Sequence, residues 1–202
     1  MRICGLRGEP SLILPMNRLR LLAALAFLPL ALSAADRTLK VDPARSYVDV
    51  DVKATVGSFT AHLDAYALRA TVDDKGRIKT AALTFRFADL KTGKPDRDKK
   101  MLEWLGGDDP AGRFELGILA MTPNGQGQVT GNLTFHGTTA PVEFPVVIIK
   151  TADTSTVTGE VTIDYRDWKL KVYRILGVLK VDPMVNIRFK LTGEILAPLP
   201  EK

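Results

Sequence analysis

Apolar and polar residues alternate one by one over much of the chain beyond residue 40. The run Tyr47–Val52 places three valines on one face and a tyrosine and two aspartates on the other. In the run Phe114–Ala120 the same alternation places Ile118 on the apolar face. The alternation recurs at residues 83–88, 129–136, 157–165 and 185–192. This period of two is typical of strands in an antiparallel sheet with one buried face.

Turn-forming residues separate these runs. We predict turns at Asp73–Gly76, Pro123–Gly125, His136–Pro141 and Ala152–Ser155 because glycine, proline, asparagine and aspartate favour tight backbone turns. About eight or nine candidate strands with such short connections are enough to close a sheet on itself. The pattern therefore predicts an all-β domain, either a sandwich or an up-and-down barrel.

One segment, Asp96–Leu105, lacks the strand alternation. Its apolar residues cluster on one side of a helical wheel, and its charged residues precede them. Pro95 is suited to a helix start, and Gly106 with Gly107 to a helix stop. We expect a short amphipathic helix that covers part of the sheet or caps one end of a barrel.

Residues 1–35 have the features of a leader, and residues 16–35 those of a secretory signal peptide. Two arginines precede an uncharged apolar stretch that is interrupted by Pro29 and ends in small residues. This stretch is short for a bilayer span, which needs about 20 residues. We therefore expect cleavage near Ala35, a periplasmic or secreted domain at residues 36–202, and no lasting transmembrane insertion. The translation start is open between Met1 and Met16.

Cleavage changes the charge and the cysteine count. The chain carries 28 basic and 23 acidic residues, a net charge of +5. The leader holds four arginines and one glutamate, so the remaining domain has a net charge of only +2. Cys4, the single cysteine, also leaves with the leader. A basic surface for nucleic acid is not expected, and the domain must be stabilised by burial rather than by disulfides.

Candidate chemistry is sparse. The two histidines, His62 and His136, lie far apart in the sequence without a second ligand at metal-binding spacing. Serine-nucleophile and phosphate-loop motifs are missing as well. We expect no catalytic residue, no metal site and no cofactor other than a bound lipid. A small closed barrel is either filled by its own side chains or holds one apolar ligand, and alternation alone leaves both open.

Several stretches, taken in order, resemble a known pattern. They are Val41–Ser46, the Arg97-Asp98 pair with its following helix, Gly131–Val142, Arg166–Trp168 and Val185–Glu194. Together they span Leu39–Ile195 and resemble the YceI-like family of exported, lipocalin-like polyisoprenoid-binding proteins. The sequence departs from that pattern in three places: Arg45 replaces a histidine, the pair Trp104-Leu105 replaces a phenylalanine pair, and Lys169 replaces a glycine.

The resemblance implies an eight-stranded antiparallel, lipocalin-like barrel with a short capping helix. It also implies that the domain sequesters a polyisoprenoid or similar long-chain lipid in an apolar cavity, without bond chemistry. Lipid-binding residues would then be Phe59, Phe85, Phe87, Leu102, Trp104, Phe114, Leu133, Phe135 and Trp168. A homodimer is left open.

Three alternatives stand beside this interpretation. The domain could be an exported enzyme that uses His62 or His136, or a stress-related interaction module with a filled barrel and a protein partner. An integral outer-membrane barrel also alternates, with its apolar residues facing outward. These classes can be distinguished by measuring enzymatic turnover, the contents of the barrel and the solubility of the protein without detergent.

The leader yields a direct prediction. N-terminal sequencing of the exported protein should begin at or near Asp36, because the small residues at 33–35 suit a signal peptidase. A mature chain that begins before Leu21 would contradict the assignment.

Overall fold

The computed structural model describes residues 36–107, 110–175 and 179–196; the predicted leader lies outside these ranges. The helix is α1 (Pro95–Trp104), and 3-10 turns lie at Pro43–Arg45, Phe87–Asp89 and Tyr165–Trp168. The strands are β1 (Arg37–Val41), β2 (Tyr47–Ala54), β3 (Gly57–Leu63), β4 (Tyr66–Val72), β5 (Ile78–Arg86), β6 (Leu90–Lys91), β7 (Ala111–Met121), β8 (Gln126–Phe135), β9 (Thr138–Lys150), β10 (Thr154–Asp164), β11 (Arg174–Ile175) and β12 (Leu179–Ile195).

Several of these strands are halves of one longer strand. β1 and β2 together make one long strand, and β3 and β4 make the next. Because β1 pairs with β4 and β2 with β3, the two long strands form one bent hairpin. β5 and β6 continue each other in the same way, since they pair with β4 and β3. Counted in this way, the described sheet has eight long antiparallel strands, which follow one another as an up-and-down meander. β12 pairs with β10 on one side and with β1 and β2 on the other, which closes the barrel and confirms the predicted fold class.

The alternation has the predicted orientation in β2. Its valines line the interior, whereas Asp49 and Asp51 lie on the outer surface. Arg188 donates to both Asp51 oxygens, with Nε at 2.6 Å from Oδ2, and Thr60 donates to Oδ1 at 2.6 Å. These hydrogen bonds, with that from Arg188 the stronger, lower the pKa of Asp51. The aspartates therefore form cross-strand pairs outside the barrel rather than a catalytic pair within it.

The prediction for Ile118 is wrong. The register between β7 and β8 shifts between Leu116 and Ile118, so that Gly117 occupies a β-bulge. A bulge adds one residue and reverses the alternation beyond it. Ile118 is consequently 66% exposed, and Leu119 lines the interior in its place.

The predicted turn at His136–Pro141 is also too long. Only His136 and Gly137 form the turn, and β9 starts at Thr138. Pro141 and Pro145 lie within β9, although proline disfavours a central strand because it cannot donate a ladder hydrogen bond. The structure accommodates both prolines because β10 pairs with β9 only over Val146–Lys150.

Trp168 reaches across the region where β9 and β10 are unpaired. It follows β10, yet its indole N–H donates to the carbonyl oxygen of Leu133 on β8 at 2.8 Å. Its ring stacks on Phe135 at a centroid distance of 4.7 Å, and the residue is 1% exposed. The next residue, Lys169, has a φ of 62°, the left-handed conformation suited to the glycine of the family pattern.

Inward-facing glycines leave room for aromatic rings on neighbouring strands. Gly159 lies opposite Phe189, and a Cβ atom at Gly159 would come within 2.5 Å of the Phe189 Cζ atom. Gly131 is covered in the same way by Phe114, at 2.5 Å from Cε2. Phenylalanine rings thus lie flat against the wall, which keeps the centre of the barrel open.

We predict that Gly159→Val destabilises the protein by about 1–3 kcal/mol, because the added methyl groups overlap the Phe189 ring. The free energy of unfolding from urea titration measures this effect. Thr158→Val, one residue away on the outer side of β10, is the matched control and should change stability little. Wild-type stability in the Gly159 variant would contradict the packing described here.

Candidate functional site

The barrel encloses one elongated apolar cavity of about 900 Å³. One end of it is lined by aliphatic residues of β1, β5, β7 and β9, among them Leu39, Ile78, Leu119 and Ile148. Its mouth lies at the opposite end, between α1, the β2–β3 hairpin and the start of β12. The cavity therefore runs along the length of the barrel.

Most of the predicted site residues line this cavity. The seven that do so are Phe59, Phe85, Phe87, Trp104, Phe114, Leu133 and Phe135. Leu102 does not: it lies on the far side of α1, beside Lys91 and Lys99 in a shallow surface depression. Trp168 is buried behind Phe135 in the wall. A role in ligand binding stays a prediction for all nine residues.

Two aromatic clusters stiffen the wall of the cavity. Phe87 contacts both Phe85 and Phe135, at centroid distances of 5.3 and 5.5 Å. In the second cluster, Phe144 of β9 contacts Phe114 of β7 and Phe189 of β12, each at 5.8 Å. Edge-to-face and tilted contacts of this kind hold each ring in one orientation, so the cavity has a defined shape.

Helix α1 caps the barrel next to the mouth. Asp98 anchors its first turns by accepting hydrogen bonds from the Thr92 backbone N–H at 3.0 Å and from the Thr92 hydroxyl at 2.5 Å. At the other end, Trp104 packs edge-on against Tyr165 and Tyr173. Its indole N–H donates to the carbonyl oxygen of Lys171 at 3.0 Å. This confirms the predicted helix and its position at a barrel end.

The inner wall offers few polar groups. The Tyr165 hydroxyl donates to the carbonyl oxygen of Val181 at 3.3 Å and accepts from the Tyr173 N–H at 3.4 Å. Burial raises the pKa of Tyr165, so its hydroxyl stays protonated at neutral pH. It serves as a fixed hydrogen-bonded group rather than as a proton donor to solvent.

Sequence reasoning missed four aromatic residues of the described lining, namely Phe144, Tyr165, Tyr173 and Phe189. Phe189 stood in a recognised alternating run and could have been selected from it. Phe144 lies between the prolines of β9, which hide the alternation of Val142, Phe144, Val146 and Ile148.

The two histidines lie away from the cavity. His62 projects outward from β3, where its Nδ1 atom is 2.8 Å from Asp49 Oδ1 and its side chain is 64% exposed. His136 lies in the β8–β9 turn and is exposed. Within the described ranges, no group of three or more His, Cys, Asp or Glu residues is arranged to hold a metal ion.

The cavity can hold a chain of limited length. If a methylene group takes up about as much space as a water molecule, about 30 Å³, the cavity of about 900 Å³ has room for a chain on the order of 30 carbon atoms. Each buried methylene contributes about 0.8 kcal/mol. Apolar burial alone is therefore sufficient to hold such a chain.

No helix within residues 36–107, 110–175 and 179–196 is long and apolar enough to span a membrane.

Known proteins of solved structure share the fold. The crystal structure of Burkholderia cenocepacia BcnA is 20% identical, with a TM-score of 0.65 over 76% of this chain and 99% of that chain. The Campylobacter jejuni YCEI protein is 16% identical, with a TM-score of 0.59 over 68% of this chain and 85% of that chain. The chain matches no curated protein by sequence. The sequence model of the YceI-like domain matches residues 39–193, and the chain therefore belongs to the YceI-like family.

Proposed function

We propose that the protein is an exported, periplasmic or secreted carrier that sequesters a polyisoprenoid or similar long-chain lipid in its barrel cavity. The observation that carries this proposal is the enclosed apolar cavity of about 900 Å³. Ligand pockets of proteins typically measure about 300–1,000 Å³ and are mostly apolar. The YceI-like fold, a barrel suited to apolar ligands, supports the same assignment.

The binding mechanism follows from the difference between the water outside the barrel and the apolar cavity inside it. A long hydrocarbon chain is poorly soluble in water, and each methylene that enters the cavity leaves that solvent. The inward phenylalanines and aliphatic residues replace water by dispersion contacts. Binding and release make and break no covalent bond, so no catalytic group is required.

The alternatives fit the site less well. An enzyme that used His62 or His136 would have to act outside the cavity, on the barrel surface or at a turn. An interaction module with a filled barrel would need side chains in the space that the cavity occupies. A carrier is the function that makes use of the apolar cavity.

Export is part of the proposal. A leader with the layout of a signal peptide precedes the domain, and no cysteine lies beyond it. The barrel would then shield the lipid while it crosses an aqueous compartment.

We predict that Phe85→Asp abolishes co-purification of lipid, because it places an unpaired carboxylate among apolar side chains inside the barrel. The matched control is Ile118→Asp, the same kind of change on the neighbouring strand β7, where the residue faces outward and is 66% exposed. Organic extraction of the purified proteins followed by mass spectrometry measures the bound lipid.

A second variant, Val161→Trp, covers the case in which Phe85→Asp fails to fold. Val161 lines the cavity, and the larger side chain occupies part of its volume without adding charge. We expect reduced lipid in this variant and wild-type lipid in Ile118→Asp. Wild-type lipid content in both folded cavity variants would overturn the assignment of the cavity as the binding site.

A further inference from the structure

The charged residues that line the cavity are confined to its mouth. Lys94 immediately precedes α1, Arg97 and Lys100 lie in its first turns, and Lys180 lies at the start of β12. Asp96 is the single acidic residue among the described lining residues. The mouth therefore carries four positive charges against one negative charge.

The mouth elements contact one another directly. The Arg97 guanidinium lies over the Phe59 ring of β3, at 3.9 Å from its centroid. On the other side, the Lys180 carbonyl oxygen accepts from the Thr55 N–H at 3.0 Å. The β2–β3 hairpin thus joins α1 to β12, and the cations surround one opening.

These cations are not neutralised by neighbouring carboxylates. In the part of the chain that the structure describes, Lys94, Arg97, Lys100 and Lys180 have no carboxylate oxygen within the 4.0 Å of an ion pair. Lys99, on the outer side of α1, does have one, since it lies 3.9 Å from Glu103. The four cations of the mouth are therefore unpaired, as are other lysines on the described outer surface such as Lys150 and Lys190.

The opposite end of the cavity has a different character. Aliphatic residues such as Leu39, Ile78, Leu119 and Leu191 line it, and a charged group placed there would lose its hydration without gaining a partner. A ligand with one charged end can therefore enter in one orientation only, with its charge at the mouth.

We propose, on the basis of the carrier function above, that the ligand is a long-chain amphiphile with an anionic head group, a phosphate, a diphosphate or a carboxylate. Lys94, Lys100 and Lys180 bind the head group at the mouth, and Arg97 is held beside it by Phe59. The chain extends into the barrel.

Paired ligands that differ only in the head group test this proposal. Binding of geranylgeranyl diphosphate and of geranylgeraniol to the purified protein is measured by the fluorescence of Trp104 and Trp168, with palmitate and hexadecanol as the carboxylate pair. We expect each anion to bind about tenfold more tightly than its alcohol at low salt, a difference of about 1.4 kcal/mol, since three partly exposed lysines attract the head group. Salt of about 0.5 M should reduce this difference.

The variant Lys94→Gln/Lys100→Gln/Lys180→Gln should bind anion and alcohol with similar affinity, while its affinity for the alcohol stays that of the wild type. The matched control is Lys99→Gln/Lys150→Gln/Lys190→Gln, which removes three lysines that do not line the cavity and should keep the tenfold difference.

The outcomes separate the two proposals. Binding of the alcohols with no preference for the anions would overturn the anionic head group and leave the carrier intact. Failure of all four ligands to bind would overturn both. Inorganic pyrophosphate is tested alone and should bind far more weakly than the diphosphate lipid. Equally tight binding would mean that the mouth is an anion site independent of any chain, which would also overturn this inference.

Discussion

The pairing of β12 with both ends of the meander is the constraint on which the rest of the structure depends. This strand of 17 residues pairs with β10 along one side and with β2 and β1 along the other. Closure of the sheet pairs its two end strands and surrounds the inner face. Where β9 and β10 are unpaired, Trp168 reaches across the wall to β8. Without this closure, the inward phenylalanines and valines would form an open apolar surface rather than a cavity.

Closure alone would still allow a barrel filled by its own side chains. The inner wall avoids this by placing glycines beside aromatic rings, as at Gly159 and Phe189. Each ring then lies along the wall instead of projecting to the centre. The same residues that satisfy the packing of the sheet therefore also leave the volume that a ligand needs. At these positions the stability of the fold and the volume of the cavity therefore depend on the same residues.

Much of the fold could be predicted from the alternation of apolar and polar residues. The pattern in β2, β10 and β12 has the orientation that it predicts, because these strands run without irregularity where it was read. The exceptions have local causes. A bulge at Gly117 reversed the phase of β7 at Ile118, and the prolines of β9 concealed a strand that β10 pairs with only in part.

The candidate site was harder to derive from the sequence. Side chains on one face of a strand could be grouped, but their distance from the cavity depends on long-range packing. Leu102 lies on the apolar side of the predicted helix and yet faces away from the cavity, and Trp168 packs into the wall. Lys94 and Lys100 could be recognised in the sequence as part of a small basic patch. Lys180 is far from them in the sequence, and only the fold brings it to the lining of the same cavity.

The arrangement of the molecule is that of a container with one polar opening. Ion pairs such as Arg188 with Asp51 lie on its outer surface, and apolar residues cover its interior. Its histidines are outside the cavity. Under the proposed function, such a container protects an apolar chain from water.

Native mass spectrometry of the protein incubated with a C20 isoprenoid tests the central claim most directly. The account predicts one bound molecule per barrel, and that molecule should be lost when the protein is denatured. A spectrum that contains the bare polypeptide alone, at ligand concentrations well above micromolar, would contradict the assignment of the cavity as a lipid site.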